Sequence, residues 1–272
     1  IFILGRFLLD EGSLIHTIGN NMATHALCRI ISKLGIMSRK QAGDAIIAGR
    51  VSLNNVIVTD PGIQAALKDS IAIDNKKISK QTKAYVLLNK PRGYVTTRND
   101  PQGRKTVYSL LKEEKWLFPA GRLDYDTSGL LIMTNDSEFA EFLTNPHNRI
   151  WKTYVAKIKG SITEQEIEKL KNGIIIDGEQ TLPAKAKILS ATDKTTKVEI
   201  MIHEGMNRQI RKMFEAIGKK VITLSRTAIG NLENEKIQPG ESRELDLKEV
   251  ELLKKVCIKL PSSSKNLPRM KI

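Results

Sequence analysis

Short β-rich runs alternate with helical segments through the greater part of this chain, from Ala84 onward. The β-rich runs are AYVLLN, LIMTN, KTYVAKI, AKAKILS, KVEIMI and VITLS. Helical spacing of apolar residues indicates helices near 137–143, 164–171 and 208–217. The second of these helices begins at a capping box formed by Thr163 and Glu166. The pattern predicts an α+β sheet domain, which we bound at residues 84–260.

The polar segment GRLDYDTSG, residues 121–129, lies between two apolar runs of this domain. Residues 117–120 and 130–133 are both typical of short buried strands, so the loop between them is anchored on a rigid frame. The loop holds Asp124 close to Arg122, and such a loop can present a charged group for chemistry. The alternative is an ordinary surface ion pair.

The charge of the chain favours a polyanionic partner. The formal net charge is +14 and the isoelectric point is about 9.7. Nucleic acid is therefore the leading partner class, and a basic protein without such a partner is the alternative. The chain has 2 cysteines, Cys28 and Cys257, at no spacing that suits zinc or a redox pair, which fits a reducing compartment. No dinucleotide-binding or P-loop glycine pattern occurs, and we predict no cofactor and no metal.

Both ends of the chain are predicted to lie outside the folded domains. The chain begins with Ile1, and Met22 directly precedes the first segment that fits a fold, so residues 1–22 are expected to be a non-structural extension. The apolar opening is interrupted by Arg6 and has no cleavage site, which indicates neither secretion nor a membrane span. Residues 261–272 are predicted to be a disordered tail. We therefore expect a cytoplasmic protein.

A small helix-helix-strand module is predicted at residues 23–78, and the polar segment 79–83 is predicted to link it to the larger domain. Ser38 and Gln41 form a capping box for its second helix. The segment LGIMSRKQAGDAIIAGRVSLNN resembles the RNA-binding domain named after the fourth small-subunit ribosomal protein, over residues 28–78. The resemblance implies phosphate contacts for four residues, for which a solvated basic face is the alternative: Arg29, Arg39, Lys40 and Arg50.

Four segments of the larger domain resemble motifs of the RNA pseudouridine synthases, specifically the RsuA/RluB type that acts on ribosomal RNA. They are GRLDYDTSGLLIMTND, WKTYVAK, NRQIRKMF and TLSRTAIG. The resemblance implies a mixed, mostly antiparallel sheet for the catalytic domain. It also implies that uridine is isomerised to pseudouridine without a cofactor. The expected partner is ribosomal RNA or a ribosomal subunit precursor, with the large subunit slightly favoured, and the expected state is a monomer.

The resemblance assigns roles to residues of these motifs. Asp124 would be the nucleophile, attacking the target uridine at the anomeric carbon or on the uracil ring. Tyr154 would pack against the target base, and Arg211 would pair with Asp124. Arg122 would steady the flipped nucleotide or fill the gap that it leaves. Three further residues are predicted to contact the substrate or the RNA: Leu224, Arg226 and Arg208.

The residues alone leave alternatives open for several of these side chains. Arg211 and Glu215 are one helical turn apart, so Arg211 could instead make an exposed pair worth only about 0.3–0.5 kcal/mol. Tyr154 could simply belong to the core of its strand. Lys90 and Arg92 in NKPRG resemble the Lys-Pro-x-Gly segment of the family and are predicted to contact RNA, but a purely structural turn is equally open.

Two other functions are weighed against this one. Asp124, Asp126 and Asp136 could ligate magnesium in a nuclease. Asp126 lies in the turn-forming DTSG, however, and Asp136 suits a helix start, so local roles are favoured. His203 has no neighbours at a spacing that indicates a metal site. The other alternative is a noncatalytic RNA-binding or ribosome-assembly factor, which would have no use for an aspartate that repels phosphate.

Overall fold

The computed structural model describes residues 24–112, 115–233 and 237–255. These residues form two compact units: the first comprises 24–32 and 38–78, and the second comprises 33–37 and 79–255. The predicted extension at 1–22, the predicted tail at 261–272 and Cys257 lie outside the described residues.

The first unit contains short helices and small antiparallel strands. Its elements are β1 (His25–Ala26), α1 (Leu27–Lys33), α2 (Arg39–Ile47), β2 (Val51–Leu53), β3 (Val56–Val58), β4 (Gln64–Ala65), β5 (Ile71–Ile73) and β6 (Lys76–Lys77). The predicted capping box of α2 is confirmed, because the hydroxyl of Ser38 accepts from the N–H of Gln41 at 3.1 Å. Asn54 and Asn55 both have positive φ in the turn between β2 and β3, as Asn tolerates.

The second unit is a mixed sheet covered by helices. Its strands are β7 (Tyr85–Lys90), β8 (Phe118–Pro119), β9 (Thr127–Thr134), β10 (Lys152–Lys159), β11 (Ile175–Ile176), β12 (Glu179–Gln180), β13 (Lys185–Ala191), β14 (Thr195–Ile202), β15 (Val221–Ile229), β16 (Leu232–Glu233) and β17 (Ser242–Glu244). Its helices are α3 (Ser137–Thr144), α4 (Glu164–Lys171), α5 (Gln209–Ala216) and α6 (Leu247–Lys255), with 3-10 turns at Val107–Leu110 and Pro146–Asn148. The three helices predicted near 137–143, 164–171 and 208–217 are confirmed, as is the capping box of α4.

The strands of the main sheet follow the order β13-β14-β10-β15-β9-β7-β17. Among the described strands, β9 and β15 pair in parallel and the other neighbours pair antiparallel. The predicted α+β class with a mixed, mostly antiparallel sheet is confirmed. β9 begins earlier than predicted, inside the polar segment 121–129, because residues 127–129 pair with β15.

Both faces of the central strands are covered, which explains their continuous apolar sequences. Every residue of β7 is buried. Val86 and Leu88 join one core with the buried residues of α4 and α5, while Tyr85 and Leu87 join a second core with those of α3 and α6. The polar loop before β9 therefore starts from strands that are held on both sides. No helix in the described ranges is long and apolar enough to cross a membrane.

Candidate active site

A cleft of about 510 Å³ opens in the second unit beside the loop that precedes β9. Strands β10 and β15 and the start of α5 form its other walls. Six residues predicted from the sequence line this cleft: Arg122, Asp124, Tyr154, Arg208, Leu224 and Arg226. The fold thus brings most of the predicted site together from segments that are far apart in the sequence.

Lys90 holds the loop from the protein interior. Its side chain is fully buried, and its ammonium donates hydrogen bonds to the carbonyl oxygens of Asp124 at 3.0 Å, Thr127 at 2.7 Å and Pro91 at 3.2 Å. Burial lowers the pKa of Lys90 to about 8, although the charges of Asp124 and Asp126 oppose the change. The predicted contact between Lys90 and RNA is therefore wrong. The ammonium is buried against the backbone of the loop, which is a structural role.

Further backbone contacts hold the residues on both sides of Asp124. The hydroxyl of Thr96 donates to the carbonyl oxygen of Leu123 at 2.7 Å and accepts from its N–H at 3.3 Å. The N–H of Gly93 donates to the carbonyl oxygen of Tyr125 at 2.8 Å. The backbone that carries the half-buried Asp124 is consequently held in place by the protein itself.

Asp126 joins the loop to helix α5 through two arginines. Oδ1 of Asp126 lies 3.1 Å from Nη1 of Arg208, and Oδ2 lies 3.2 Å from Nη2 of Arg211. Nη2 of Arg211 also donates to the carbonyl oxygen of Asp126 at 3.0 Å. Burial by itself would raise the pKa of Asp126, but the hydrogen bond from Arg208 and the charge of Arg211 hold it below its ordinary value. Asp126 is therefore an ionised clamp.

The predicted ion pair between Arg211 and Asp124 is a point that the structure corrects. Arg211 pairs with Asp126 instead, because α5 reaches the loop two residues after Asp124. Within the described ranges Arg211 also makes no ion pair with Glu215, the other partner considered. Asp124 still acts on Arg211 through its charge: burial lowers the pKa of Arg211, and the charges of Asp126 and Asp124 oppose that change. Arg211 and Asp124 thus interact through their charges, without an ion pair among the contacts of the described residues.

Asp136 has the local role that its sequence position predicted. Its Oδ1 accepts from the N–H of Phe139 at the start of α3, at 3.3 Å. Its Oδ2 accepts from the hydroxyl of Tyr85 at 2.8 Å and lies 2.6 Å from Nζ of Lys83. Among the residues that the structure describes, no group of three His, Cys, Asp or Glu side chains could hold a metal ion.

Tyr154 and Arg226 are neighbours across β10 and β15. Both are buried, at 7% and 3% exposure, yet both line the cleft. Nε of Arg226 donates to the carbonyl oxygen of Leu130 at 2.6 Å, and Nη1 lies 3.4 Å from the hydroxyl oxygen of Tyr154. Tyr154 is therefore part of the strand core and part of the cleft wall, so its two interpretations are compatible.

Some buried polar atoms of the cleft residues have no hydrogen-bond partner within the described part of the chain. They are Oγ1 of Thr127, Nζ of Lys152 and Nη2 of Arg226. Burial lowers the pKa of Lys152 to about 8; the charge of Arg226 adds to this effect and that of Glu204 opposes it. The wall of the cleft thus contains hydrogen-bond donors that no described residue satisfies.

The remaining predicted RNA contacts are not among the residues that line the cleft. Arg92 is exposed and is near enough to Arg211 to lower its pKa by charge. The guanidinium of Arg50 donates to the carboxylate of Asp74 at 2.7 Å, and both side chains are exposed. The other predicted contacts of the first unit are also exposed: Arg29, Arg39 and Lys40.

Sequence reasoning missed several residues of this site. The sequence predicted a turn role for Asp126 and assigned no site role to Lys152, although Lys152 lies two residues before Tyr154 on the same face of β10. That period of two is the signal that could have found it. Glu204 and Gln209 also line the cleft, and Oε1 of Glu204 accepts from the Gln209 amide. Nothing in the spacing of that pair distinguishes it from an ordinary turn.

Comparison with known proteins identifies the class that this fold and site define. Residues 84–216 match the family described as RNA pseudouridylate synthase. The chain is 42% identical over 231 residues to a Bacillus subtilis (strain 168) protein named ribosomal large subunit pseudouridine synthase B, covering 84% of this chain and 95% of the relative. It is 36% identical over 235 residues to an uncharacterized RNA pseudouridine synthase of Aquifex aeolicus (strain VF5), covering 85% and 94%.

A solved structure agrees with these relatives. A crystal structure described as a pseudouridylate synthase matches with a TM-score of 0.62 and 33% identity, covering 84% of this chain and 98% of the other. The chain belongs to the RNA pseudouridine synthase family. The predicted enzyme class, an isomerase that acts on uridine in RNA, is confirmed.

Proposed function

We propose that this chain converts a specific uridine of ribosomal RNA to pseudouridine, with Asp124 as the nucleophile. The observation that carries the proposal is the position of Asp124: a half-buried carboxylate in the lining of a basic cleft, on a loop whose backbone is held by Lys90 and Thr96. A protein that only bound RNA would gain nothing from an oriented carboxylate there, since it repels phosphate.

The reaction needs no external reagent. The Asp124 carboxylate attacks the nucleotide, at C1′ of the ribose or on the uracil ring, and the bond between C1′ and N1 breaks. The uracil then rotates within the cleft and C5 bonds to C1′. Loss of the C5 proton and protonation of N1 complete an isomerisation in which the aspartate is released unchanged. The protein contributes position and electrostatics, which suits a loop fixed before substrate arrives.

The target base must leave the RNA stack to reach Asp124. Extrusion costs a few kcal/mol, and contacts within the cleft must offset it. We assign the wall beside the base to Tyr154 and Leu224, which both line the cleft. Arg122 is exposed at the rim of the cleft, where it is positioned to steady the flipped nucleotide or to fill the gap in the RNA.

The large ribosomal subunit is the proposed target. The support is the 42% identity to a relative named for that subunit, over 95% of its length. We further propose that residues 23–78 are an RNA-binding domain of the type named after the fourth small-subunit ribosomal protein, joined by 79–83 to a catalytic domain at 84–260. Exposed Arg29, Arg39 and Lys40 would contact phosphates. The RsuA/RluB type, a monomeric state and a cytoplasmic location belong to the same proposal.

Release of tritium tests the proposal directly, because the C5 hydrogen of uridine is lost in the reaction. Purified protein is incubated with large-subunit and small-subunit ribosomal RNA made with uridine tritiated at C5. We expect tritium release from the large-subunit RNA to reach a plateau that corresponds to one uridine per RNA molecule. Asp124→Asn should release none, whereas Asp193→Asn, in an exposed turn after β13, should match the wild type. Tight RNA binding with no release by the wild type would instead favour a noncatalytic factor.

A further inference from the structure

Lys152 is a buried cation of the cleft for which neither the reaction nor the fold gives a reason. It begins β10 and is only 9% exposed, and its Nζ has no hydrogen-bond partner among the described residues. A buried ammonium without a partner costs free energy. A methionine or leucine would fill the same space without that cost, so the fold alone does not require lysine here.

The neighbours of Lys152 do not neutralise it. Arg226 acts on it as a second positive charge, and Glu204 is the acidic group whose charge opposes this effect. Lys152 forms no ion pair with Glu204 within the described residues, and the carboxylate of Glu204 instead accepts from the N–H of Leu182 at 2.9 Å and from Gln209. Arg226 also has a buried nitrogen, Nη2, without a partner in the described ranges.

These two donors lie beside an apolar surface. Lys152 and Tyr154 share one face of β10, and Tyr154 and Leu224 supply buried apolar wall to the same cleft. A phosphate is tetrahedral and hydrated and does not suit such a wall. A uracil ring does, because its faces are apolar and its edge carries two carbonyl oxygens that accept hydrogen bonds.

We infer that Lys152, together with Nη2 of Arg226, reads the carbonyl edge of the flipped uracil and so selects the base that enters the cleft. The inference rests on the proposed function, whose nucleophile it leaves unchanged. The flexible stem of Lys152 allows its ammonium to turn towards the base. The absence of a partner for Lys152 among the described residues then follows, since the acceptor belongs to the substrate.

Nucleotide binding tests the inference without catalysis. The probes are uridine 5′-monophosphate and ribose 5-phosphate, which share a sugar phosphate and differ in the base. Thermal unfolding of the full chain is followed with each probe at millimolar concentration. Uridine monophosphate should raise the Tm of the wild type and ribose phosphate should not. Lys152→Met should lose the shift, while Lys157→Met, on the opposite face of β10, should keep it.

The Tm of the free variants separates recognition from a structural role. Lys152→Met should unfold about 2–4 °C above the wild type because it removes a buried unpaired charge. Its rate of pseudouridine formation should fall about 10–100-fold, as expected for a lost hydrogen bond from a charged group, with little change in RNA affinity. A lower Tm in Lys152→Met would overturn the inference, because lysine would then be needed for the fold.

The outcomes distinguish this inference from the proposed function. A wild type that forms pseudouridine while Lys152→Met keeps both the rate and the nucleotide shift would overturn the role of Lys152 and leave the function intact. A wild type that forms none, yet responds to uridine monophosphate through Lys152, would overturn the function and support the reading of uracil. Equal shifts with ribose phosphate would assign Lys152 to phosphate and also overturn the inference.

Discussion

Gly129 lies opposite Arg226 where β9 and β15 pair in parallel, and their backbones approach so closely that no side chain fits between them. A Cβ on Gly129 would lie 2.1 Å from the carbonyl oxygen of Arg226, at a φ of +107° that side chains rarely adopt. The same strand pairing places the loop of Asp124 beside the residues of β15 that line the cleft. The glycine at the end of GRLDYDTSG therefore allows the close approach of β9 and β15 beside the cleft.

Gly129→Ala should destabilise the protein strongly, because the two strands must separate. We expect a loss of roughly 2–5 kcal/mol in the free energy of unfolding, and activity should fall even where the protein stays folded. Urea denaturation measures the first effect and tritium release the second. Gly160→Ala is the control, since Gly160 also has positive φ but nothing within 4 Å. A similar loss in both variants would show that strain alone, rather than the strand contact, is responsible.

Asp126→Asn should slow turnover although Asp126 is not the nucleophile. The change weakens both contacts to α5, at Arg208 and Arg211, and frees the loop that carries Asp124. We expect kcat to fall about tenfold or more, with RNA affinity unchanged or increased because a negative charge is lost. The control is Asp177→Asn. Asp177 is exposed and pairs with Lys212 at the surface, so its loss should have little effect. Full activity in Asp126→Asn would show that the pairing of Asp126 with Arg208 and Arg211 is not needed to hold the loop.

Lys90→Met should separate a structural lysine from an RNA-binding one. Three carbonyl oxygens lose their donor, so we expect a loss of roughly 2–4 kcal/mol of stability and a large loss of turnover. The neighbouring Arg92→Ala should change stability by less than about 0.5 kcal/mol and weaken RNA binding instead. If Lys90→Met were stable and bound RNA weakly, the assignment of Lys90 to the loop backbone would be wrong.

The buried lysines predict a rise of stability with alkaline pH. Lys90 and Lys152 have folded-state pKa values of about 8, whereas an unfolded lysine has a pKa near 10.4. Between these values the unfolded chain binds more protons, so the free energy of unfolding rises with pH. The charged neighbours of Lys152 are Arg226, Glu204 and His203. Burial lowers the pKa of His203, which keeps that group below this pH window.

The variant Lys152→Met isolates the contribution of Lys152 to this pH dependence of the free energy of unfolding. The stability advantage of Lys152→Met over the wild type should be largest below about pH 8 and shrink towards about pH 10. Denaturation curves of both proteins over this range measure it, with Lys157→Met on the opposite, half-buried face of β10 as the control. A pH-independent difference would mean that Lys152 is not charged and buried in the folded protein.

Much of the fold follows from local pattern. The apolar runs predicted β7, β9 and β10, and the capping pairs Ser38–Gln41 and Thr163–Glu166 marked the helix starts. The parallel pairing of β9 with β15 did not follow, since hydrophobic period specifies a strand and not its neighbour. The early start of β9 could not be predicted either, because its polar residues 127–129 form a strand only by pairing with β15.

The site was predictable in its members and less so in its contacts. Asp124, Tyr154 and Arg226 were found from motifs and do line one cleft. The predicted partner of Arg211 was wrong: Asp126, two residues after Asp124 in the same loop, faces the helix instead. The sequence left Lys90 open between an RNA contact and a structural turn, because its three acceptors are backbone oxygens that only the folded loop brings together.

The most direct test of the account maps pseudouridine in ribosomal RNA from cells that contain the wild-type protein, lack it, or carry Asp124→Asn. Carbodiimide labelling followed by primer extension gives a stop at each pseudouridine. We predict that one stop in the large-subunit RNA disappears in the second and third strains and returns when the wild type is restored. A stop that persists with Asp124→Asn but disappears without the protein would contradict Asp124 as the nucleophile, and a map unchanged in every strain would contradict the proposed activity.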